Sequence, residues 1–402
     1  MIAKQQTAWT VPDIMDATGG ALCSGDKVSR FDGFSIDSRT IHQKACFICL
    51  TGDVHDGHTF IPDIIKQDVT GIILNREKAG RALLNKLTEA GITCVAVQDT
   101  LTALGDLASF HRRRWDLSVV ALTGSNGKTT TRTMTTAVIN RRFKTLSPFG
   151  NFNNLVGVPL TLLRARRNHE WAILELGMNR PGEIRRLGQI CAPDIGLITN
   201  IGPAHLEGLG SLEGVMNAKG EILETLSPKG GLILNADDPM VMRLAKRAPC
   251  KPILFGLSKN ADIRATALEN SAAAVSFQLH VPDGDIHVSL PIPGEFNVSN
   301  ALAAAAVGYC LKIPLNEIMT ALGSFLPVKG RMNILRTEHG PYLIDDTYNA
   351  NPGSVKAALR TMNNLRKERR GIAVLGDMLE LGRASRDLHA EVGGFAAASG
   401  LA

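Results

Sequence analysis

The chain has 402 residues, enough for two or three domains at about 150 residues each. Hydrophobic residues make up 44% and charged residues 20%, which excludes a disordered tail protein, a coiled coil and a collagen-like repeat. Lys plus Arg number 44 against 38 Asp plus Glu, a formal charge of +6; the basic clusters at 112–114, 164–167 and 366–370 carry no interleaved aromatics, so small anionic substrates fit the surplus better than a single-strand nucleic-acid platform.

In chain order, residues 1–11 (MIAKQQTAWTV) lack the apolar core of a leader peptide. Strands are predicted at 46–50, 71–74 and 93–97, with a helix near 78–89. Cys46 and Cys49 form a CxxC within KACFICL. The segment reads as a buried strand, whereas a redox pair needs a helix start and a zinc site needs a second CxxC. Seven cysteines, an odd count, argue against a disulfide framework. After HRRRW at 111–115 the texture changes. Short apolar runs at 118–122, 172–176, 195–199 and 231–234 alternate with helical segments, the pattern of a parallel sheet covered on both faces. A helix follows at 301–311, then a helix and connector at 314–327. A last alternation gives a strand at 342–344, a helix at 354–367, a strand at 372–375 and a helix at 386–398. Two strands are few for a doubly wound sheet, so the C-terminal domain is expected to be incomplete at 402. No apolar run approaches the roughly 18 residues of a membrane span. The expected location is the cytoplasm.

The sharpest motif is SVVALTGSNGKTTTRTMTTAVI at 118–139. An apolar strand runs into Gly124, Ser125, Asn126, Gly127, Lys128, Thr129 and Thr130, then into a helix. Backbone N–H groups of such a loop and of the helix start converge on one anion. Lys128 would reach terminal phosphates and the Thr129 hydroxyl would ligate Mg²⁺. The glycines let the backbone approach phosphate oxygens. The general GxxxxGK[ST] pattern wants glycine at 122, where this chain has Leu122, and supplies Gly124 instead. Nucleotide binding is the reading.

Three further residues lie at or beyond predicted strand ends: Glu175 in AILELG, His205 in TNIGPAHLEG and Lys219 in NAKGEI. Carboxyl ends of parallel strands form the binding crevice, so Glu175 and His205 can face the loop as direct or water-mediated Mg²⁺ ligands. A turn histidine is the competing reading of His205. For Lys219, an exposed helix residue and a second phosphate cation both remain open on spacing alone.

TGSNGKTTT, ELGMNRPGEI, TNIGPAHLE, NAKGEIL, the NxxN of FNVSNALAAAA, GRM and DDTYNANP occur in the order seen in the ATP-dependent Mur ligases of peptidoglycan synthesis, and the chain resembles that family over nearly its whole length. DSRT, DGHTFI, GNFNN, DDTYNANP and LGDMLELG resemble the branch that adds D-alanyl-D-alanine to UDP-N-acetylmuramoyl-tripeptide. The resemblance implies an α/β fold of three domains: residues 1–112 for the UDP-sugar, 113–325 as a parallel-sheet P-loop ATPase, and 326–402 as an incomplete Rossmann-like ligand-binding domain. It implies that ATP phosphorylates the tripeptide carboxylate, and that the dipeptide amine attacks the acyl phosphate and expels phosphate. A carboxylate is a poor electrophile until phosphorylation gives it a leaving group. Two anions must then share one site, and cations and N–H dipoles must offset their repulsion.

Residue by residue, the resemblance makes Lys128 the phosphate lysine, Thr129 and Glu175 Mg²⁺ ligands, and His205 the ligand of a second Mg²⁺. Lys219 matches a lysine carbamylated by CO₂, which turns a cation into an oxygen ligand. The reaction needs the neutral amine, so Lys219 should be partly buried with a lowered pKa. Asn297 and Asn300 match adenine-side contacts, with a helix cap as the competing reading; Phe296 stands where the family has His. Arg331 matches a nucleotide-phosphate arginine, and Asp345 and Asp346 a ribose or phosphate acid. Asn349 and Asn351 are expected at the dipeptide site, against a turn role. Ser38 and Arg39 are assigned to the uridine nucleotide, Asn153 and Asn154 to the muramoyl peptide. Asp237 and Asp238 read as a turn. The alternatives are a ligase adding a single amino acid and an inactive nucleotide- or UDP-sugar-binding protein of the same fold. A monomer without nucleic-acid or membrane partners is expected.

Overall fold

The computed structural model describes residues 8–52, 54–271, 274–338, 340, 342–366 and 369–401. It forms two compact units, Met1–Leu117 with Leu155–Asn168, and Ser118–Asn154 with His169–Ala402. The opening residues 1–7 and Lys367, the expected end of a helix, lie outside the described residues.

In the first unit, Gly33–Ser35, Ala45–Ile48, Gly71–Asn75 and Thr93–Val97 form a parallel sheet, with Ala21–Ser24 added antiparallel to Thr93–Val97. Period-two alternation splits its apolar residues between two cores. Phe47, Ile72, Leu74 and Ala96 join Ile61, Ile64 and Leu87, while Ile48, Ile73 and Val95 join Trp9, Leu104 and Leu107. Cys46 and Cys49 are fully buried free thiols. Burial pushes both well up, and pushes Cys94 to about 12, as expected for inert core groups. The helix expected from 78 begins at Arg81, because extended Gly80 separates it from the short turn Arg76–Lys78.

The second unit is built on a nine-stranded sheet. Across it lie Gly284–Leu290, Val275–Val281, Ile263–Asn270, Ile253–Gly256, Gly231–Asn235, Ile195–Ile198, Ser118–Thr123, Trp171–Glu175 and Thr145–Leu146. The last seven run parallel, and the first two are added through antiparallel pairings, Val275–Val281 to Ile263–Asn270 and Gly284–Leu290 to Val275–Val281. Ser118–Thr123 lies between the strands from 195 and from 171, so the strand order reverses there. At such a point the carboxyl ends of neighbouring strands open a crevice. Helix Glu295–Cys310, six residues longer at its start than expected, is buried on nearly every side. Its alanine run, Ala303–Ala306, lets it close against Val138 and the sheet.

Beyond residue 330, Asn333–Arg336 pairs antiparallel with Tyr342–Asp345, and helices Pro352–Arg366 and Ser385–Ala398 follow. The strand expected at 372–375 does not form. A strand needs a ladder partner, and none of the described residues pairs with this segment; Ile372 and Val374 are exposed. Among the described residues, no helix is long and apolar enough to cross a membrane.

Candidate active site

The loop after Ser118–Thr123 has the shape that its glycines permit. A Cβ on Gly124 would lie 1.9 Å from Thr199 Oγ1, and one on Gly127, at φ +77°, would lie 2.2 Å from Asn300 Oδ1. The neighbouring strand end pins the loop. Asn200 Oδ1 accepts from Asn126 N at 2.8 Å, its Nδ2 donates to Asn126 O at 3.0 Å, and Thr199 Oγ1 donates to the same carbonyl at 2.7 Å. Ser125 Oγ donates to Gly202 O at 3.0 Å and accepts from Gly202 N at 2.8 Å. Helix Lys128–Ile139 closes its first turn with Thr131 N donating to Gly127 O at 2.8 Å. The N–H groups of Lys128, Thr129 and Thr130 therefore have no intrahelical acceptor, which is the geometry a helix start offers to an anion.

Acid and cations gather around this loop. Glu175, buried at the end of its strand, accepts from Thr129 Oγ1 and from Asn153 Nδ2, each at 2.9 Å. Arg132 Nε lies 3.9 Å from Glu175 Oε2. Lys219 is 1% exposed, and its Nζ donates to Gly124 O at 2.9 Å. Burial holds its pKa well below the ordinary value; Lys128 adds to that and Glu175 opposes it. Lys128 is lowered by burial, against Glu175 and with help from Arg331. His205 starts a short helix at φ +56° and pairs its Nδ1 with Glu380 Oε2 at 2.5 Å. Burial and then Lys219 lower it, Glu380 raises it, and Lys128 lowers it again. Thus Lys128, Glu175, His205 and Lys219 share one electrostatic neighbourhood, and Lys219 is not the exposed helix residue that spacing left open.

A cavity of about 250 Å³ opens over the loop, lined also by Asn297, Asn300, Arg331, Asp346, Asn349 and Asn351. The helix cap reading of the asparagine pair fails, since Gly294 is the cap. Asn300 Oδ1 accepts from Thr131 Oγ1 at 3.1 Å and its amide donates to Asn297 Oδ1 at 3.2 Å, while Asn297 Nδ2 donates to Pro293 O at 2.7 Å. The guanidinium of Arg331 stacks on Tyr348 at 4.1 Å. The two neighbouring acids separate. Asp346 reaches the cavity, accepts from Met332 N at 3.0 Å and is raised by burial, whereas Asp345 accepts from Thr347 Oγ1 at 2.6 Å and is held low by it. Asn349 is exposed at the cavity rim, and Asn351 Nδ2 donates to Asn126 Oδ1 at 2.6 Å.

Asn153 turns toward Glu175, and Asn154 is exposed at the end of its segment. Ser38 and Arg39 belong to the first unit. Arg39 forks onto Asp37 at 2.9 and 2.8 Å, and Ser38 O accepts from Gln67 Nε2 at 3.0 Å. Asp237 lies in the expected turn and holds Leu257 N and Ser258 N, whereas Asp238 is the cap of helix Pro239–Ala245 through Met240 N and Val241 N and also accepts from Ile201 N at 2.7 Å. Reading the sequence left out Thr199, Asn200, Arg132 and Glu380. The first two stand in the quoted TNIGPAH motif and the last in LGDMLELG. Arg132 gives no local signal; it is buried, donating to Ser147 Oγ at 2.8 Å, Pro148 O at 3.2 Å and Gly150 O at 3.4 Å.

The residues fit a nucleotide with a hard divalent cation. The cradle would be filled by a single Cβ at either glycine, and the Thr129 hydroxyl and Glu175 carboxylate present adjoining oxygens of the kind Mg²⁺ prefers. Lys219 fits carbamylation, since its burial favours the neutral amine that reacts with CO₂.

Residues 30–112 match the catalytic domain of the Mur ligase family, 122–308 the Mur ligase middle domain, and 330–400 the Mur ligase glutamate ligase domain. The UDP-N-acetylmuramoyl-tripeptide–D-alanyl-D-alanine ligase of Escherichia coli is 35% identical to this chain, over 98% of the chain and 84% of that protein. Its namesake in Bacillus subtilis is 34% identical over 96% and 82%, and that of Buchnera aphidicola 37% over 89% and 76%. The crystal structure of MurF from Acinetobacter baumannii superposes with a TM-score of 0.90 at 34% identity, covering 98% of this chain and 84% of that one. MurF ligase from Thermotoga maritima in complex with ADP gives 0.81 at 27% identity, covering 90% and 82%.

Proposed function

The chain belongs to the Mur ligase family, and from that premise we propose that it is an ATP-dependent, ADP-forming ligase. It adds D-alanyl-D-alanine to UDP-N-acetylmuramoyl-tripeptide in cytoplasmic peptidoglycan precursor synthesis. The family's N-terminal, middle and C-terminal domains account for its α/β fold, with boundaries proposed at 112/113 and 325/326. The observation that carries the reading is the loop Gly124–Gly127 with Thr129 hydrogen-bonded to Glu175 and Lys219 buried under Gly124.

In the first step a tripeptide carboxylate oxygen bonds to the γ-phosphorus of ATP and the bond to the β-phosphate oxygen breaks, releasing ADP. In the second the dipeptide amine bonds to the acyl carbon, phosphate leaves with the C–O bond electrons, and the amine proton passes to solvent. The open N–H groups at the start of helix Lys128–Ile139 would cradle phosphate oxygens, with Lys128 offsetting the charge of the terminal ones. Thr129, Glu175, His205 and carbamylated Lys219 would hold Mg²⁺. Bound there, Mg²⁺ supplies positive charge against the triphosphate and the incoming carboxylate. Asn297, Asn300, Arg331 and Asp346 are proposed on the nucleotide, with Asp345 bracing the turn beside them through Thr347, Asn349 and Asn351 on the dipeptide, Ser38 and Arg39 on the uridine moiety, and Asn153 and Asn154 on the muramoyl peptide. Asn153 also orients Glu175 through its amide.

Relatives sharing the dipeptide-adding name over most of their length weigh against a single-amino-acid ligase. The test supplies ATP, Mg²⁺, UDP-N-acetylmuramoyl-tripeptide and D-alanyl-D-alanine, and follows phosphate release and product mass. Release that needs both peptide substrates is expected. Nucleotide binding without turnover, or turnover indifferent to the dipeptide, would overturn the proposal.

A further inference from the structure

We propose that Glu380 is a positioning residue for His205, fixing its tautomer and holding it in register with Lys128 and Lys219. The inference rests on the ligase reading above and adds a residue to its machinery.

His205 Nδ1 and Glu380 Oε2 are 2.5 Å apart, and the segments that carry them are joined a second time, with Glu207 N donating to Glu380 O at 3.0 Å. A carboxylate can only accept, so Nδ1 carries the proton, and in the neutral ring Nε2 then holds the lone pair. An imidazole that must meet a cation or a phosphate-bound ion needs one nitrogen unprotonated. A carboxylate on the other nitrogen is the usual way to secure that.

The backbone shows that the arrangement is held against local preference. His205 and Glu380 sit at φ +56° and +61°, where side chains other than glycine are strained. Gly382, also at positive φ, permits close approach: a Cβ there would lie 3.1 Å from Glu207 Cα. The segment bearing Glu380 is itself anchored, since Met378 and Leu381 bury against Val392 and Met378 N donates to His389 Nε2 at 3.0 Å. Glu380 keeps half of its side chain exposed while His205 keeps 22%. A pair so open to solvent contributes little to stability, which leaves orientation as its main effect. The residues are 175 positions apart, so His205 is correctly set only when the LGDMLELG segment is docked.

The experiment uses the full chain and its variants Glu380→Gly, Glu380→Ala, Glu380→Gln and His205→Ala. Mn²⁺ affinity in the presence of ADP is measured by electron paramagnetic resonance, beside thermal midpoints and ligase kinetics. Glu380→Gly suits the left-handed backbone and should keep or raise the midpoint, yet weaken Mn²⁺ binding about tenfold or more and lower kcat without moving KM for D-alanyl-D-alanine. Glu380→Ala should show the same functional losses. Glu380→Gln, which still accepts from Nδ1, should stay within about threefold of wild type. Combined with His205→Ala, the glycine variant should add no further loss. Mn²⁺ affinity unchanged in both Glu380→Gly and Glu380→Ala, or full additivity with His205→Ala, would overturn the assignment. Wild type that neither binds Mn²⁺ with ADP nor forms product would instead overturn the ligase reading.

Discussion

Asn351 donates its side-chain amide to Asn126 Oδ1 at 2.6 Å, tying the start of helix Pro352–Arg366 to the loop between Gly124 and Gly127. Asn351 is 7% exposed, so the bond is shielded from water. Its loss leaves the Asn126 amide without that partner beside the phosphate cradle. Asn351→Ala should raise KM for ATP about tenfold, the equivalent of one hydrogen bond at about 1.4 kcal/mol. Asn351→Asp should raise it further, because a carboxylate there would face the triphosphate. Steady-state kinetics at saturating peptide substrates check the order. An aspartate variant with wild-type KM would remove Asn351 from the nucleotide's surroundings.

Lys219 couples stability to pH. Its folded pKa is held well below the ordinary 10.5 by burial. Between those two values the unfolded chain binds a proton that the folded chain does not. Stability therefore rises with pH through that window, and the penalty is largest below the folded pKa. In CO₂-free buffer, Lys219→Met should raise stability at pH 7 by about 1–3 kcal/mol and flatten its slope toward pH 10; with bicarbonate present, its ligase activity should fall at least about a hundredfold below wild type. Bicarbonate added to wild type should restore activity at the same pH. A methionine variant with unchanged melting and full activity would contradict both the burial argument and the carbamylation proposal.

The parallel core was legible because apolar runs such as Ile195–Ile198 and Gly231–Asn235 are buried on both faces and need no partner-specific signal. The loop at Gly124 was legible because its glycines serve a backbone shape that local sequence encodes. The antiparallel strands Val275–Val281 and Gly284–Leu290 were missed, their half-buried alternation being weaker than a continuous run. The segment 372–375 was over-read: apolar β-formers announce a strand, but only a ladder partner makes one. Glu380 and Asn351 were visible as motif members, yet their contacts join positions 175 and 225 apart. No spacing rule reaches that far. Lys219 was the hardest case, since burial under Gly124 is a tertiary fact that reverses the ordinary expectation for a helix lysine.

Gly127 is a site where one methyl group should decide affinity. Its φ of +77° disfavours any other residue by about 1–2 kcal/mol, and the added Cβ would lie 2.2 Å from Asn300 Oδ1. Gly127→Ala should therefore displace Asn300 from Thr131 as well as distort the first open N–H groups. A loss of ADP affinity above about tenfold, with a thermal midpoint lowered by a few degrees, is the expected result of calorimetric titration and melting. Gly80, which is extended and has open space where a Cβ would stand, is the matched control, and Gly80→Ala should change neither. Unaltered ADP binding in Gly127→Ala would mean that the cradle is not where the nucleotide sits.

Arg132 and Glu175 are both buried and 3.9 Å apart, each with other partners. Arg132 holds the turn at 147–150 through three acceptors, and Glu175 is held by Thr129 and Asn153. Removing one charge leaves the other buried without its neighbour, which costs about 3–5 kcal/mol when a buried pair is broken. Arg132→Met should thus destabilise the protein more than Glu175→Gln, because it also frees the turn's carbonyls. The double variant should be less destabilised than the sum of the singles, by about 0.5–3 kcal/mol. Chemical denaturation of the four proteins completes the cycle. Strict additivity would show that Lys128, rather than Arg132, balances the carboxylate, and that Arg132 serves the turn alone.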